Sequence, residues 1–393
     1  MSLSSALLPN DIPDFVDYPV DPGISKATVS EGQVNVVWSD AFSARFHFIW
    51  LRDNCACHRC INPLTREQVF EIDTVPLDIA PRTVGISDQR GLFIQWDNDG
   101  HQSHYHPGWL RNFCYSEIDR CEPKRLPTTW GAGFELPEFE AAEVLHDDGA
   151  LREWLSALYE FGATKLKRLA LEEDIVGRVA ARISFMRETN FGTLWNVQSL
   201  PQTNTNANTS LELPPHTDLP TREQEPGLQF LHCFTNDAVG GQSVLVDGFR
   251  VAETLRKAEP GLFELLSQTG IDWHNTDRDT DYRCKAPVIG LDGDGELWEV
   301  RYGNFLKGPI FAEPKKMPEV YAAYRRFMIE TKNPDHQIRY MMEPGDMVAF
   351  ENRRILHGRD AFDPNTGARR LQGCYIDRDE LLSRLRVLNR PGG

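Results

Sequence analysis

Two hydrophobic periodicities run along this chain, and they occupy different stretches. Between residues 28 and 121, short runs such as Val34-Asn-Val-Val-Trp38 and Leu92-Phe-Ile-Gln-Trp96 are rich in β-branched and aromatic residues. Polar turns such as Ser87-Asp-Gln-Arg-Gly91 separate them, which predicts a small β domain. Across 122–140 the pattern lapses: Pro123, Pro127, Gly131, Gly133 and Pro137 read as a linker. Beyond it Leu151, Trp154, Leu155 and Leu158 recur at helical spacing behind the capping candidates Asp148 and Gly149. Further helices are expected through Ile175, Val179 and Ile183, through Val251, Leu255 and Leu262, and between Pro318 and Thr331. Short β runs lie among and after them, including Gln229-Phe-Leu-His-Cys-Phe234, Ser243-Val-Leu-Val-Asp247, Met347-Val-Ala-Phe350 and Gln372-Gly-Cys-Tyr-Ile376. Helices that do not alternate with strands favour a jelly-roll barrel over a parallel sheet. The expectation is a mainly β protein with some α: a β domain at 1–121, a linker at 122–140 and a jelly-roll domain at 141–393.

Composition narrows the partners. A length of 393 residues suits two domains, and a formal charge of −16 repels nucleic-acid backbones and anionic membranes. The start, Met1-Ser-Leu-Ser-Ser-Ala-Leu-Leu-Pro-Asn10, lacks the basic and apolar regions of a signal peptide, and no run is long enough to span a membrane. A reducing cytoplasm is therefore expected. In that setting the eight cysteines read as thiols or metal ligands, not disulfides.

The segment Leu213-Pro-Pro-His216-Thr217-Asp218 sets an imidazole and a carboxylate one residue apart, so on an extended backbone both project to one side. His357, in Ile355-Leu-His357-Gly-Arg-Asp, is a candidate third ligand. Two His and one carboxylate on one face of a metal leave three cis positions open, which suits iron(II), a chelating cosubstrate and O₂. Downstream, Gly367-Ala-Arg369-Arg370-Leu supplies a guanidinium fork for a distal carboxylate; Arg370 also fits a plain surface role.

These residues resemble the taurine-dioxygenase-like superfamily, and the wider text is similar to the γ-butyrobetaine and trimethyllysine hydroxylases. The supporting strings are Trp50-Leu-Arg-Asp-Asn-Cys-Ala-Cys, His216-Thr-Asp-Leu-Pro-Thr-Arg-Glu, Pro226-Gly-Leu-Gln-Phe-Leu-His-Cys, Gly240-Gly-Gln-Ser-Val-Leu-Val-Asp-Gly-Phe and Leu356-His-Gly-Arg. The resemblance covers roughly residues 30 to 380. It implies a double-stranded β-helix, a homodimer, iron(II) on His216, Asp218 and His357, and 2-oxoglutarate held by Arg369 with Ser243 beside it.

Cys55-Ala-Cys57-His58-Arg-Cys60 offers three thiolates, and a nearby imidazole completes a closed, structural Cys₃His zinc site. Spacing leaves His58, His101, His104 and His106 open as the fourth ligand, and the resemblance selects His101. A redox Cys-x-x-Cys is the competing reading of Cys57 and Cys60. Cys114, Cys121, Cys233, Cys284 and Cys374 read as ordinary residues.

A quaternary ammonium has no N–H to donate and is held by aromatic faces. The resemblance puts cage aromatics at Phe191, Trp195 and Tyr375, and an anchor for the substrate's acidic end at Asn304. It also finds Asn208 where a further cage Tyr is expected, and Leu219 near the iron where some relatives carry Tyr. The expected substrate is a small trimethylammonium zwitterion, γ-butyrobetaine first. The alternative is 2-(trimethylammonio)ethylphosphonate, with Tyr302, Arg283 or Lys307 as extra donors. Two rivals from other classes are a mononuclear metal hydrolase and a non-catalytic zinc-organised interaction module.

Overall fold

A computed structural model describes residue 18 and residues 20–115, 127–198 and 208–390. Met1–Asn10, Cys121 and the first part of the expected linker lie outside the described residues. The chain divides into two units, residues 1–125 with 390–393 and residues 126–389.

In the first unit, alternation of side chains across each strand buries one face. The strand β2 (Gln33–Trp38) buries every second residue, as does β5 (Leu92–Trp96). β2 is flanked by β1 (Ile24–Ser30) and β3 (Ser43–His47), and β5 by β4 (Pro81–Ile86) and β6 (Gln102–Tyr105), giving two three-stranded antiparallel sheets. Val34, Val36, Trp38, Ile94 and Trp96 share one core, and each aliphatic side chain so buried contributes about 1.5–3 kcal/mol. Two short helices, α1 (Phe48–Asp53) and α2 (Pro107–Asn112), follow β3 and β6.

The second unit is built on two facing sheets. One has six strands in the order β7 (Glu138–Glu140), β8 (Ala163–Lys167), β14 (Met347–Glu351), β11 (Leu228–Asn236), β16 (Arg369–Ile376) and β9 (Trp195–Gln198). The other has four: β10 (Leu213–His216), β15 (Ile355–Arg359), β12 (Ser243–Asp247) and β13 (Gln337–Tyr340). All the pairings except β7 with β8 are antiparallel, and neighbours are far apart in sequence, which is the double-stranded β-helix. Helix α4 (Asp148–Phe161) covers the six-stranded sheet by burying Leu151, Trp154, Leu155 and Leu158. Asp147 caps it by accepting from the Ala150 N–H at 2.7 Å, and Gly162, at φ 74°, ends it in the left-handed conformation that glycine adopts without strain. The four-stranded sheet is backed by α6 (Gly248–Ala258), α7 (Pro260–Gln268) and α8 (Met317–Lys332); this unit also has the short α3 (Ala141–His146) and α5 (Ile175–Ala181) and the terminal α9 (Arg378–Leu388).

Two expectations need correction. The helix read through Val251, Leu255 and Leu262 is two helices: Pro260 has no N–H and starts α7 at its first position, after α6 ends at Ala258. Residues 127–140 are not a free linker. Trp130 is buried, its indole donates to the Phe161 carbonyl at 2.7 Å, and β7 joins the six-stranded sheet.

Candidate active site

His216 and His357 come from segments 141 positions apart, yet β10 and β15 pair them directly across the sheet. Their ring centroids are 4.3 Å apart. Asp218, two residues past His216, turns its Oδ1 to within 3.3 Å of His216 Nε2 and 3.7 Å of His357 Nε2. Cis donors on an octahedral ion about 2.1 Å away sit ~3 Å apart, so the three donors approach that edge length. His216 Nδ1 lies 2.9 Å from the Pro214 carbonyl, and donating its proton there leaves Nε2 as a lone pair facing inward. Burial, together with the nearby His216, pushes His357 down to about 3 and keeps it neutral. Burial alone drives the Asp218 carboxyl up. The His357 and His216 imidazoles and the Tyr375 hydroxyl, which donates to Oδ2 at 2.7 Å, overcome it and hold the group ionised.

The loop after Asp218 is braced from inside. Asn352, fully buried, accepts from the Asp218 N–H at 2.7 Å and donates to the Asp218 and Pro226 carbonyls at 2.9 and 3.2 Å, closing both ends of the loop. Arg301 donates to the carbonyls of Pro220, Arg222 and Glu223 at 3.0, 2.6 and 3.2 Å. Leu219 takes φ 55°, a left-handed conformation that a non-glycine residue keeps only when its surroundings enforce it.

A cavity of about 660 Å³ opens over these donors. Phe191, Trp195, Asn208, Leu219, Ser243, Arg369 and Tyr375 all border it with His216, Asp218 and His357. Trp195 and Tyr375 form an adjoining pair of rings, 5.0 Å between centroids and tilted 37°. Arg369 stands at the start of β16 with its Nε buried and, among the described residues, without a hydrogen-bond partner. Arg359, one strand-face step beyond His357, borders the same cavity; burial and the charge of Arg369 lower it to about 10. Two desolvated cations bordering the cavity that holds the three donors supply the charge that a dicarboxylate calls for.

Asn304 is not brought to this cavity. It sits on the chain turn after Gly303, accepts from the Tyr324 hydroxyl at 3.4 Å and borders a separate pocket of about 260 Å³, while its neighbours Phe305 and Leu306 reach the main cavity. Tyr302 is buried against Tyr324 and Phe327, Arg283 pairs with Asp281 on the surface, and Lys307 donates to the Gly308 carbonyl, so none of the three faces the cavity. Sequence reading missed Arg359 and Asn352. The i, i+2 spacing from His357 was a usable signal for Arg359; nothing in the sequence marked Asn352.

In the first unit, Cys55, Cys57, Cys60 and His101 are all buried and their donor atoms converge. His101 Nε2 lies 3.3, 3.6 and 3.6 Å from the three sulfurs. A tetrahedral zinc with its usual bond lengths has S···N edges of roughly 3.6 Å, which matches. Contacts from Cys57 and Cys60 raise His101 to about 9, the response of a proton placed where sulfurs attract a cation. His58 is exposed, and His104 and His106 stand apart from the cluster. Cys233, Cys284 and Cys374 are free thiols.

The fold and the His-Asp-His cavity define a class, the Fe(II)/2-oxoglutarate-dependent dioxygenases. The chain belongs to the taurine catabolism dioxygenase TauD, TfdA family, whose profile matches residues 122–375, and carries a gamma-butyrobetaine hydroxylase-like N-terminal domain at residues 26–111. It is 48% identical to the gamma-butyrobetaine dioxygenase of Pseudomonas sp. strain AK-1, over 97% of this chain and 100% of that one. The human gamma-butyrobetaine dioxygenase is 32% identical over 93% and 97%, and human mitochondrial trimethyllysine dioxygenase 32% identical over 88% and 83%. Among the described residues no helix is long and apolar enough to cross a membrane.

Proposed function

We propose that this dioxygenase hydroxylates γ-butyrobetaine to carnitine, with His216, Asp218 and His357 holding iron(II) and Arg369, assisted by Ser243, holding 2-oxoglutarate. The observation that carries the reading is the pair of rings Trp195 and Tyr375 on the wall of the cavity that contains the three donors. A trimethylammonium group resting on those faces and on Phe191 gains cation–π attraction without needing a donor. The high identity to a bacterial gamma-butyrobetaine dioxygenase along the whole chain supports the same substrate.

Iron(II) with 2-oxoglutarate supplies O₂ activation, the cosubstrate leaving as succinate and CO₂ while one oxygen atom enters the substrate. The chain's own residues orient and exclude. Tyr375 fixes the Asp218 carboxylate by its hydroxyl while its ring walls the cage, so substrate and metal are referenced to one side chain. Leu245, Val348, Phe350 and Leu371 make the floor apolar and keep bulk water from the reacting C–H. The amides at the wall, Asn190, Asn196, Asn208 and Asn275, are neutral donors suited to a single carboxylate. A phosphonate dianion calls for another cation, and among the described residues the cavity has, beyond Arg359 and Arg369, only the exposed Arg278. Zinc in the Cys₃His cluster has a structural role, since four protein donors leave no open position. Family likeness supports a homodimer, which light scattering checks.

The test is a side-by-side assay of γ-butyrobetaine, 2-(trimethylammonio)ethylphosphonate and trimethyllysine with Fe(II), 2-oxoglutarate and O₂, following hydroxylated product. Greatest kcat/KM with γ-butyrobetaine and least with trimethyllysine is expected. A higher value for the phosphonate overturns the substrate, and product formation without O₂ overturns the chemistry.

A further inference from the structure

The loop that carries Asp218 also carries Arg222, and Arg222 reaches out of it to two other segments bordering the cavity. Its Nη2 donates to Asn190 Oδ1 at 2.7 Å, and its guanidinium carbon lies 3.4 Å from the ring centre of Tyr282. Asn190 precedes the cage residue Phe191, and both line the cavity. Tyr282 belongs to the hairpin of Ile271–Thr276 and Asp281–Ala286, whose tip residues Asn275 to Arg278 line it too. One side chain therefore ties the cage wall and the hairpin to the backbone of the iron loop.

The loop is built to pass a displacement of Arg222 on to Asp218. The Arg222 carbonyl is gripped by Arg301, whose guanidinium also holds Pro220 and Glu223, and Asn352 clamps Asp218 to Pro226. Thr217, between the two iron-loop donors, is pinned in turn: its hydroxyl donates to the buried Glu225 at 3.1 Å, and its N–H donates to the Tyr302 carbonyl at 2.7 Å. With so many fixed points the loop moves as a body or not at all. A strut at its outer end thus has leverage on the carboxylate that faces the metal. A role confined to stability does not need an arginine that spans three segments around one cavity.

We propose that Arg222 is a positioning residue that couples occupancy of the aromatic cage to the geometry of Asp218, so that O₂ chemistry proceeds productively only when substrate is seated. The inference rests on the functional reading above. In the coupled reaction, substrate, 2-oxoglutarate and O₂ give hydroxylated substrate, succinate and CO₂ in equal amounts. In an uncoupled turnover the second oxygen atom is reduced to water, with two electrons and two protons from an added reductant such as ascorbate. Loosening the strut shifts turnovers from the first course to the second.

The experiment compares wild type, Arg222→Met, Arg222→Lys and Tyr282→Leu, with ascorbate present, measuring hydroxylated γ-butyrobetaine and succinate in the same samples. A second readout is the visible absorption band of the anaerobic Fe(II)–2-oxoglutarate complex before and after adding γ-butyrobetaine. Arg222→Met is expected to lower the product-to-succinate ratio roughly 3- to 10-fold, the scale of losing one charge-assisted hydrogen bond and one cation–π contact. Its KM for 2-oxoglutarate and the band before substrate stay as in wild type, while the change on adding substrate shrinks. Arg222→Lys and Tyr282→Leu fall between. An unchanged ratio in Arg222→Met and Tyr282→Leu overturns the inference. So does a parallel loss of 2-oxoglutarate binding, which marks a merely structural role. A wild type that makes no hydroxylated γ-butyrobetaine overturns the functional reading itself, whereas a wild type that does so beside an unaltered Arg222→Met overturns this inference alone.

Discussion

Tyr375 and Arg369 sit on the same strand, and each answers a different problem of burial. The Tyr375 hydroxyl is held protonated far above its ordinary range, first by burial and then by the Asp218 charge, so it remains a donor to that carboxylate at any working pH. Removing only that oxygen in Tyr375→Phe keeps the cage ring and takes away the support of a metal-facing group. Iron affinity, measured by anaerobic titration, is expected to fall roughly 10- to 100-fold, with a smaller effect on the substrate KM. Arg369 has the opposite problem, a buried cation whose Nε has no hydrogen-bond partner among the described residues. With the cosubstrate as its proposed partner, Arg369→Gln is expected to raise the KM for 2-oxoglutarate by roughly 10- to 100-fold. Steady-state kinetics with varied 2-oxoglutarate checks this, and thermal stability is expected to hold or rise, because an unpaired buried charge is costly.

At the scale of elements, β11 separates two environments by its pleat alone. Gln229 and Leu231 face the cavity, and His232, the next residue along the strand, is fully buried on the other side, with neither ring nitrogen hydrogen-bonded among the described residues. Burial depresses its pKa from 6.5 to about 4. A depressed histidine contributes stability that is complete above pH 6.5 and lost as pH falls through about 4. His232→Phe, which cannot charge, is expected to move the acid-unfolding midpoint, followed by circular dichroism, to lower pH. The loop after α1 tells a similar story for metal. Cys55, Cys57 and Cys60 have no helix or strand to order them, and the convergence with His101 supplies the order. Cys57→Ser is expected to reduce bound zinc from about one per chain by metal analysis, and to lower the first melting transition of the chain while iron-dependent binding of 2-oxoglutarate persists.

For the whole molecule, the local text and the long-range contacts divided the labour unevenly. The donor types, His216-x-Asp218 and the cysteine trio, were legible because ligand chemistry demands particular side chains and, within six residues, spacing alone decides whether they can meet. The strands β2 and β5 and the helix α4 were legible for an equally local reason, since burial on one face imposes a period. Asn304 misled because a short turn after Gly303 leaves it on the separate pocket alone while Phe305 and Leu306 reach the main cavity, and such a turn leaves no periodic trace. Asn352 and Arg301 were invisible because a buried polar side chain looks like a surface one until the carbonyls it serves are in place. What the sequence determined by itself was therefore the inventory of chemistry and the elements that carry it. Only the tertiary structure decided that β10 lies beside β15, so that His357 faces His216 from 141 positions away. Strand pairing at that separation is selected by the packing of both sheets together, and no segment holds that energy alone.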